Sequence, residues 1–507
     1  MMGVADSAPN LRDPSRTRVR RNAVWNLIGQ GLPLALAVLL VPRLIHGMGT
    51  ELFGALTLIW AFLNYFSQFD LGLGRALTQL IAESAEEDKK NEEDLISKAF
   101  TLSTMLSLIG LFLLFFSAPF LVLKALKLQG ALATEMLWSL RALACGLPVL
   151  IYGVMCRAIL EGKRHFNLSN VTKIPLGIST YLIPLLVIPF SRNLFVIVGW
   201  LLAARILILV WAFAQVRKMM PHVTWRFNWK PSPNQRKLLR FGKSITVSYV
   251  VTPFTDNADR FLVTSMLSIS MLAYYTTPLE LTNKFSIVSL GIAGVIFPEF
   301  AARFLRSPKE TASLYLRGMK YILAALFPPV LLVTAYAHEG LSVWLGPKFA
   351  DAGSPVIQWL ALAALISGFR LIPYFFLVGI GRPHIAARYD FFELPIYAGV
   401  LYVLIKTLGL QGAAIAAVLR VTVGGLLYHF LSGRLLEFRS STFMKTLLPL
   451  ALATIILLGF HLAMVPLLKA ILVFGILALH VYFVWVLVLE MDDKNFILKR
   501  LGRPVHS

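Results

Sequence analysis

The sequence predicts an all-α polytopic integral membrane protein, and three observations predict it. Apolar stretches of the ~20 residues that cross a bilayer recur along the whole chain. The chain is 57% hydrophobic and 15% charged, where soluble domains carry about 25% charged residues. Its basic residues fall in short polar runs between the apolar stretches, which is the positive-inside pattern. The net charge of +22 over 507 residues therefore reads as topology, and no nucleic-acid partner is expected. Cys145 and Cys156 share one apolar segment but stand too far apart along a helix to bond each other, so they read as packed thiols.

Residues 1–22 form a polar, basic tail with Arg12, Arg16, Arg18, Arg20 and Arg21. The apolar run that follows is too long for a cleavable signal, so the first helix enters from the cytoplasm. Spans are expected near 24–45, 52–72, 100–123, 132–158, 170–190, 194–214, 244–267, 272–300, 319–341, 355–380, 389–407, 412–432, 446–464 and 468–489, about 14 transmembrane helices with both termini cytoplasmic. Glu83 to Lys98 reads as a solvated acidic connection, and the outer loops near 124–131 and 342–354 are short. Arg217 to Lys243 is basic with Trp225, Phe227 and Trp229 interleaved, and reads as an interfacial linker resting on anionic headgroups. It separates a six-helix lobe at 23–216 from a second at 244–433. Helices 13 and 14 at 446–489 and a tail at 490–507 follow. Pro33 and Pro253 share one sequence offset with Pro175 and Pro395, which suggests an internal duplication. A six-helix unit returns the chain to its starting side, so the two lobes are expected to be parallel-related.

Four stretches carry a resemblance: GMGTELFGALTL (Gly47–Leu58), FDLGLGRALTQLIAE (Phe69–Glu83), DRFLVTSMLSISMLAYYTTPLEL (Asp259–Leu281) and GLQGAAIAAVLR (Gly409–Arg420). In this order they resemble the polysaccharide biosynthesis flippases of the multidrug/oligosaccharidyl-lipid/polysaccharide (MOP) exporter superfamily, over residues 20 to 435. The resemblance implies a MATE-like V shape of two lobes around a central cavity. It also implies translocation of an undecaprenyl-pyrophosphate-linked oligosaccharide (an O-antigen, capsule or exopolysaccharide repeat unit) from the cytoplasmic to the periplasmic leaflet of the inner membrane. Membrane lipids, a polysaccharide polymerase and chain-length proteins are the implied partners. Two helices beyond twelve recur in the flippases of lipid-linked peptidoglycan precursors.

The residues that break the apolar pattern are the candidate site. Arg141, Arg205, Arg260, Lys284, Arg370 and Arg420 fall inside expected spans, with Asp256, Asp259 and Glu280. A charge at a membrane centre costs about 2.5 to 3.5 kcal/mol on insertion scales, so these groups must face the interior, a partner or water. The surplus of cations suits a pyrophosphate-sugar headgroup, because guanidinium binds phosphate bidentately. The three acids are expected to serve H+ or Na+ coupling or internal pairing, Glu280 with Lys284 on one helix face or with Arg260 across two helices. Arg141, Arg205, Arg370 and Arg420 show no evident local acid. Asn26 with Gln30, and Asn64 with Gln68, share helix faces and suit sugar hydroxyls or interhelical bonds. Asp70 and Arg75 are gate candidates, and Asp390 and Glu393 gate or interface residues. Histidines are dispersed, and no metal spacing or phosphate-cradling glycine loop occurs. A transporter is expected, with no catalytic residue, metal or cofactor. A cation-coupled multidrug exporter is the alternative, opposed by repulsion between the arginines and cationic drugs; a membrane polymerase or glycosyltransferase lacks the extramembrane loops it would need.

Overall fold

Apolar runs this long satisfy their backbone polar groups in lipid only as helices. A computed structural model describes residues 14–489, apart from 68, 69, 71, 84–88, 222, 224, 305, 463 and 464, and apart from the side chains of 14–30, 32, 34, 237, 239–251 and 487. The described backbone has helices and no strand.

The helices are α1 (Pro14–Ser67), α2 (Leu73–Glu83), α3 (Lys89–Pro119, continued by a π-turn at Phe120–Ala125), α4 (Gly130–Gly162), α5 (Phe166–Val187), α6 (Leu194–Met219), α7 (Pro233–Met266) and α8 (Ile269–Asn283). Then come α9 (Ser286–Arg303), α10 (Pro308–Ala335), α11 (Ala337–Leu345), α12 (Pro347–Gly379), α13 (Pro383–Leu435), α14 (Ser440–Gly459) and α15 (Pro466–Phe483, ending in a π-turn at Val484–Val488). Two long helices are broken at glycines that take positive φ, α1 at Gly49 (φ 78°) and α13 at Gly409 (φ 60°). A side chain there would be strained, which is why glycine marks both breaks. Side chains cap the starts that need it: Asn193 accepts from the amides of Phe195 and Val196 ahead of α6, and Ser268 from that of Met271 at α8.

Among the described residues, 11 helices are long and apolar enough to cross a membrane. The difference from the expected count has identifiable sources. Two expected pairs each lie in one long helix that is broken at its glycine, as expected between the two spans, and the longest run of α7 with described side chains, 252–266, is too short to count as a span. The expected spans 272–300 and 319–341 are interrupted, the first at Lys284–Phe285 and the second at Tyr336. The expected span 52–72 is helical as far as Ser67, beyond which 68, 69 and 71 lie outside the described residues, and the expected loop 342–354 is helical, shared by α11 and α12.

The chain divides into two compact units between Pro253 and Phe254. In the first, Leu77, Ile81, Ile96, Ile159 and Leu238 are buried together. In the second, Phe300, Tyr315, Ile322, Phe376 and Tyr428 form the centre. Lipid tails give no hydrophobic drive to join helices, so close packing and buried polar bonds hold these cores.

Of the expected solvated connection Glu83 to Lys98, residues 84–88 lie outside the described residues, Glu83, Lys89 and Lys90 are exposed, and only the part from Glu92 onward turns inward. α3 begins at Lys89, and Lys98 is 1% exposed and Glu92 4%. Glu92 pairs with Lys163 of α4 at 2.6 Å. Glu92 is buried and Asp94 half-buried because they bind groups that the linear sequence places elsewhere, Lys163 and the side chains of Asn228 and Asn234.

Candidate substrate cavity and charge networks

Within the N-terminal unit, α1, α4, α5 and α6 enclose a cavity of about 240 Å³. Asn64 and Ser67 line it from α1, Arg157 from α4, Thr172 and Thr180 from α5, and Arg205 from α6. Val149, Gly153 and Arg157 follow one another at four-residue steps, so one face of α4 forms a wall. Two guanidiniums therefore share a small space with an amide and hydroxyls, and among the described residues no carboxylate lines it. Glu161 and Asp70 act on Arg157 through their charge, and both are also bonded elsewhere. Glu161 accepts from Lys173 at 2.7 Å and from Ser169 at 2.6 Å. Asp70 accepts from the amides of Gly72 at 3.1 Å and Gly74 at 2.8 Å, and so caps α2. Burial pushes the Asp70 carboxyl up despite those amide bonds. Arg205 donates to the Leu201 carbonyl at 3.1 Å.

Arg157 is a residue that the linear reading passed over. It stands at the C-terminal end of an expected span, where long cations ordinarily reach the interface. Its four-residue register with Val149 and Gly153 was the available signal. Arg141 lies away from this cavity: its guanidinium sits 5.0 Å from the rings of both Phe115 and Trp138. Arg75 is exposed on α2. The side chains of Asn26, Gln30 and Gln68 fall outside the described residues.

The remaining intramembrane charges gather in the C-terminal unit. Arg260 pairs with Glu280 at 2.7 Å. Its neighbour Asp259 accepts from the Tyr275 hydroxyl at 2.7 Å and from the Arg260 amide at 2.7 Å. Lys284 stands at the C-cap of α8, so Glu280 is taken by Arg260 and the i,i+4 pair with Lys284 does not form.

A second network gives Arg370 and Arg420, which have no evident local acid, partners that are distant in sequence. Arg420 pairs with Asp256 at 2.8 Å and approaches Glu393 at 3.5 Å, while Arg370 lies 3.6 Å from the same Glu393 oxygen. Tyr389 donates to that oxygen at 2.9 Å. The Arg370 guanidinium lies over the rings of Tyr389 and Tyr428, and that of Arg420 over Tyr397. Asp390 stands 3.5 Å from the Tyr428 hydroxyl. Asp256 and Glu393 are remote from their arginines in sequence, which is why local spacing could not find them. Glu393 is thus a member of an ion-pair network, and Asp390 borders it through Tyr428.

Ion pairs, an arginine-lined cavity and, among the described residues, 11 helices long and apolar enough to cross a membrane define a multi-pass membrane protein. Residues 19–304 match the polysaccharide biosynthesis protein family, and the chain belongs to that family. A Shigella flexneri protein bearing the name "Putative O-antigen transporter" is 26% identical over 415 residues, covering 82% of this chain and 98% of its own. The fold is shared with a multidrug resistance MATE family transporter of the MOP superfamily in an inward-facing conformation (TM-score 0.71, 16% identity, 84% of this chain and 99% of the other). It is also shared with the lipid II flippase MurJ in an inward closed conformation (TM-score 0.68, 13% identity, 95% of this chain and 99% of the other).

Proposed function

We propose that the protein is a flippase that moves an undecaprenyl-pyrophosphate-linked oligosaccharide from the cytoplasmic to the periplasmic leaflet of the inner membrane by alternating access. Family membership supports the class, and the cavity carries the substrate reading. Arg157 and Arg205 face a space that, among the described residues, no carboxylate lines, so the counter-charge at the cavity wall is left to the cargo. A diphosphate supplies it and accepts bidentate bonds from both guanidiniums. The cavity is smaller than the roughly 300 to 1,000 Å³ that takes a drug-sized ligand. It suits the headgroup next to the lipid, with Asn64, Thr172 and Thr180 offering bonds to phosphate or to the first sugar. The same two cations repel cationic drugs, which sets the reading apart from drug export.

The test is translocation of a fluorescent polyprenyl-diphosphate oligosaccharide in proteoliposomes. Arg157→Gln and Arg205→Gln are each expected to lower translocation at least tenfold, about 1.4 kcal/mol or more, with unfolding temperature and reconstitution unchanged. Retention of full activity by both variants would remove the cavity from the substrate path.

A further inference from the structure

The described residues of the connection from Met220 to Ser232, between α6 and α7, form no helix or strand, yet they are held tightly. Unstructured connections approaching ~12 to 15 residues are ordinarily either functional or disordered. Here the clamp is built from α3. Lys98, 1% exposed, donates to the carbonyls of Asn228 and Lys230. Thr101 accepts from the Asn228 amide at 3.0 Å, and Asp94 accepts from the side chains of Asn228 at 3.1 Å and Asn234 at 3.0 Å. Trp225 packs on Phe213 and Phe100. A buried ammonium is costly unless fully bonded, and a plain connector needs no such group.

The clamp presents an exposed surface. Phe227 is 54% and Trp229 64% exposed, and Arg217, Lys218, Arg226, Lys230 and Arg236 are exposed around them. No acidic residue occurs between Glu161 and Asp256. The surface begins where the apolar helix α6 ends at Met219, so it lies at the membrane edge. Aromatic rings at that level sit among headgroups, and basic residues there attract acidic lipids.

We propose that this clamped connection is a docking platform for anionic phospholipid headgroups, with Arg226, Lys230 and Arg236 meeting the phosphates and Phe227 and Trp229 set among the glycerol and acyl boundary. Lys98 acts as a positioning residue that holds the platform in one shape. The platform is independent of the cargo carried by the cavity.

The experiment titrates the full chain in detergent with brominated phosphatidylglycerol or brominated phosphatidylcholine and follows tryptophan quenching. Phosphatidylglycerol is expected to saturate at the lower concentration, and Trp229→Phe to remove the lipid-specific part of the quench. Each basic residue near a membrane surface contributes about fivefold. The triple variant Arg226→Gln, Lys230→Gln, Arg236→Gln is therefore expected to raise half-saturation ten- to hundredfold, with its fold intact because all three side chains are exposed. Lys98→Met is expected to weaken phosphatidylglycerol binding although Lys98 is itself buried. Equal quenching by the two lipids, or an unchanged triple variant, overturns the platform. Displacement of phosphatidylglycerol by equimolar inorganic pyrophosphate would make it a soluble-phosphate site instead, and overturns it too.

Discussion

At the scale of single residues, Gly424 shows how closely the Arg370 network is fitted. A Cβ at that position would lie 2.8 Å from the Arg370 Cζ and 2.9 Å from the Tyr389 hydroxyl. Both neighbours are pinned, Arg370 between tyrosine rings and Tyr389 by its bond to Glu393. At the adjacent Gly425 the nearest atom, the Arg370 Cβ, is at 3.6 Å, an ordinary contact. Gly424→Ala is expected to cost about 1 to 3 kcal/mol through overpacking. Gly425→Ala should be neutral or gain up to about 1 kcal/mol of helix propensity. Thermal unfolding of the two variants in detergent checks the contrast; equal stabilities would show that Arg370 is free to move. The arginines were legible in the sequence because each breaks an apolar run. Their partners were not, because Glu393 and Asp256 reach them through the fold.

At the scale of elements, hydropathy made most helices legible, and the glycines at 49 and 409 mark breaks that fall between expected spans. The breaks at Lys284–Phe285 and Tyr336 carry no proline or glycine, and local propensity could not announce them. The least buried of the expected spans are α14 and α15, and α15 is held at one end by Lys469, 2.6 Å from Glu339 of α11. Burial pushes the Glu339 carboxyl up, but the Lys469 hydrogen bond, the local amide and the ammonium charge outweigh it and hold the group below its usual value. A depressed carboxylate contributes stability above the unfolded value of about 4.3 and loses it as pH falls through the folded one. Amide exchange in α15, corrected for intrinsic rates, is therefore expected to rise as pH falls below about 4.3. Lys469→Ala should reproduce the rise at neutral pH. Glu339 is about half exposed, so screening keeps the effect to a few-fold at most. Exchange unchanged across this range would mean that the pair does not anchor the helix.

At the scale of the whole molecule, the charges sort by unit. The N-terminal cavity pairs Arg157 and Arg205 with no lining carboxylate among the described residues. In the C-terminal unit, the five carboxylates of Asp256, Asp259, Glu280, Asp390 and Glu393 stand against the four cations of Arg260, Lys284, Arg370 and Arg420. Composition announced the surplus of cations but not this separation, because net charge sums over units that fold apart. An acid-rich network in low dielectric gains from taking up a proton or a sodium ion, while a basic cavity gains from an anion. The separation predicts that cargo charge and driving ion are handled in different units. In proteoliposomes with an imposed pH or sodium gradient, Asp259→Asn and Glu280→Gln are expected to abolish the response to one of the two gradients while leaving headgroup affinity within about threefold, or 0.7 kcal/mol. Arg157→Gln and Arg205→Gln should do the reverse, weakening headgroup binding while residual transport still follows the gradient. If the acid variants keep their gradient response and lose the headgroup instead, the carboxylates serve to shape the substrate path, and the driving ion acts elsewhere in the chain.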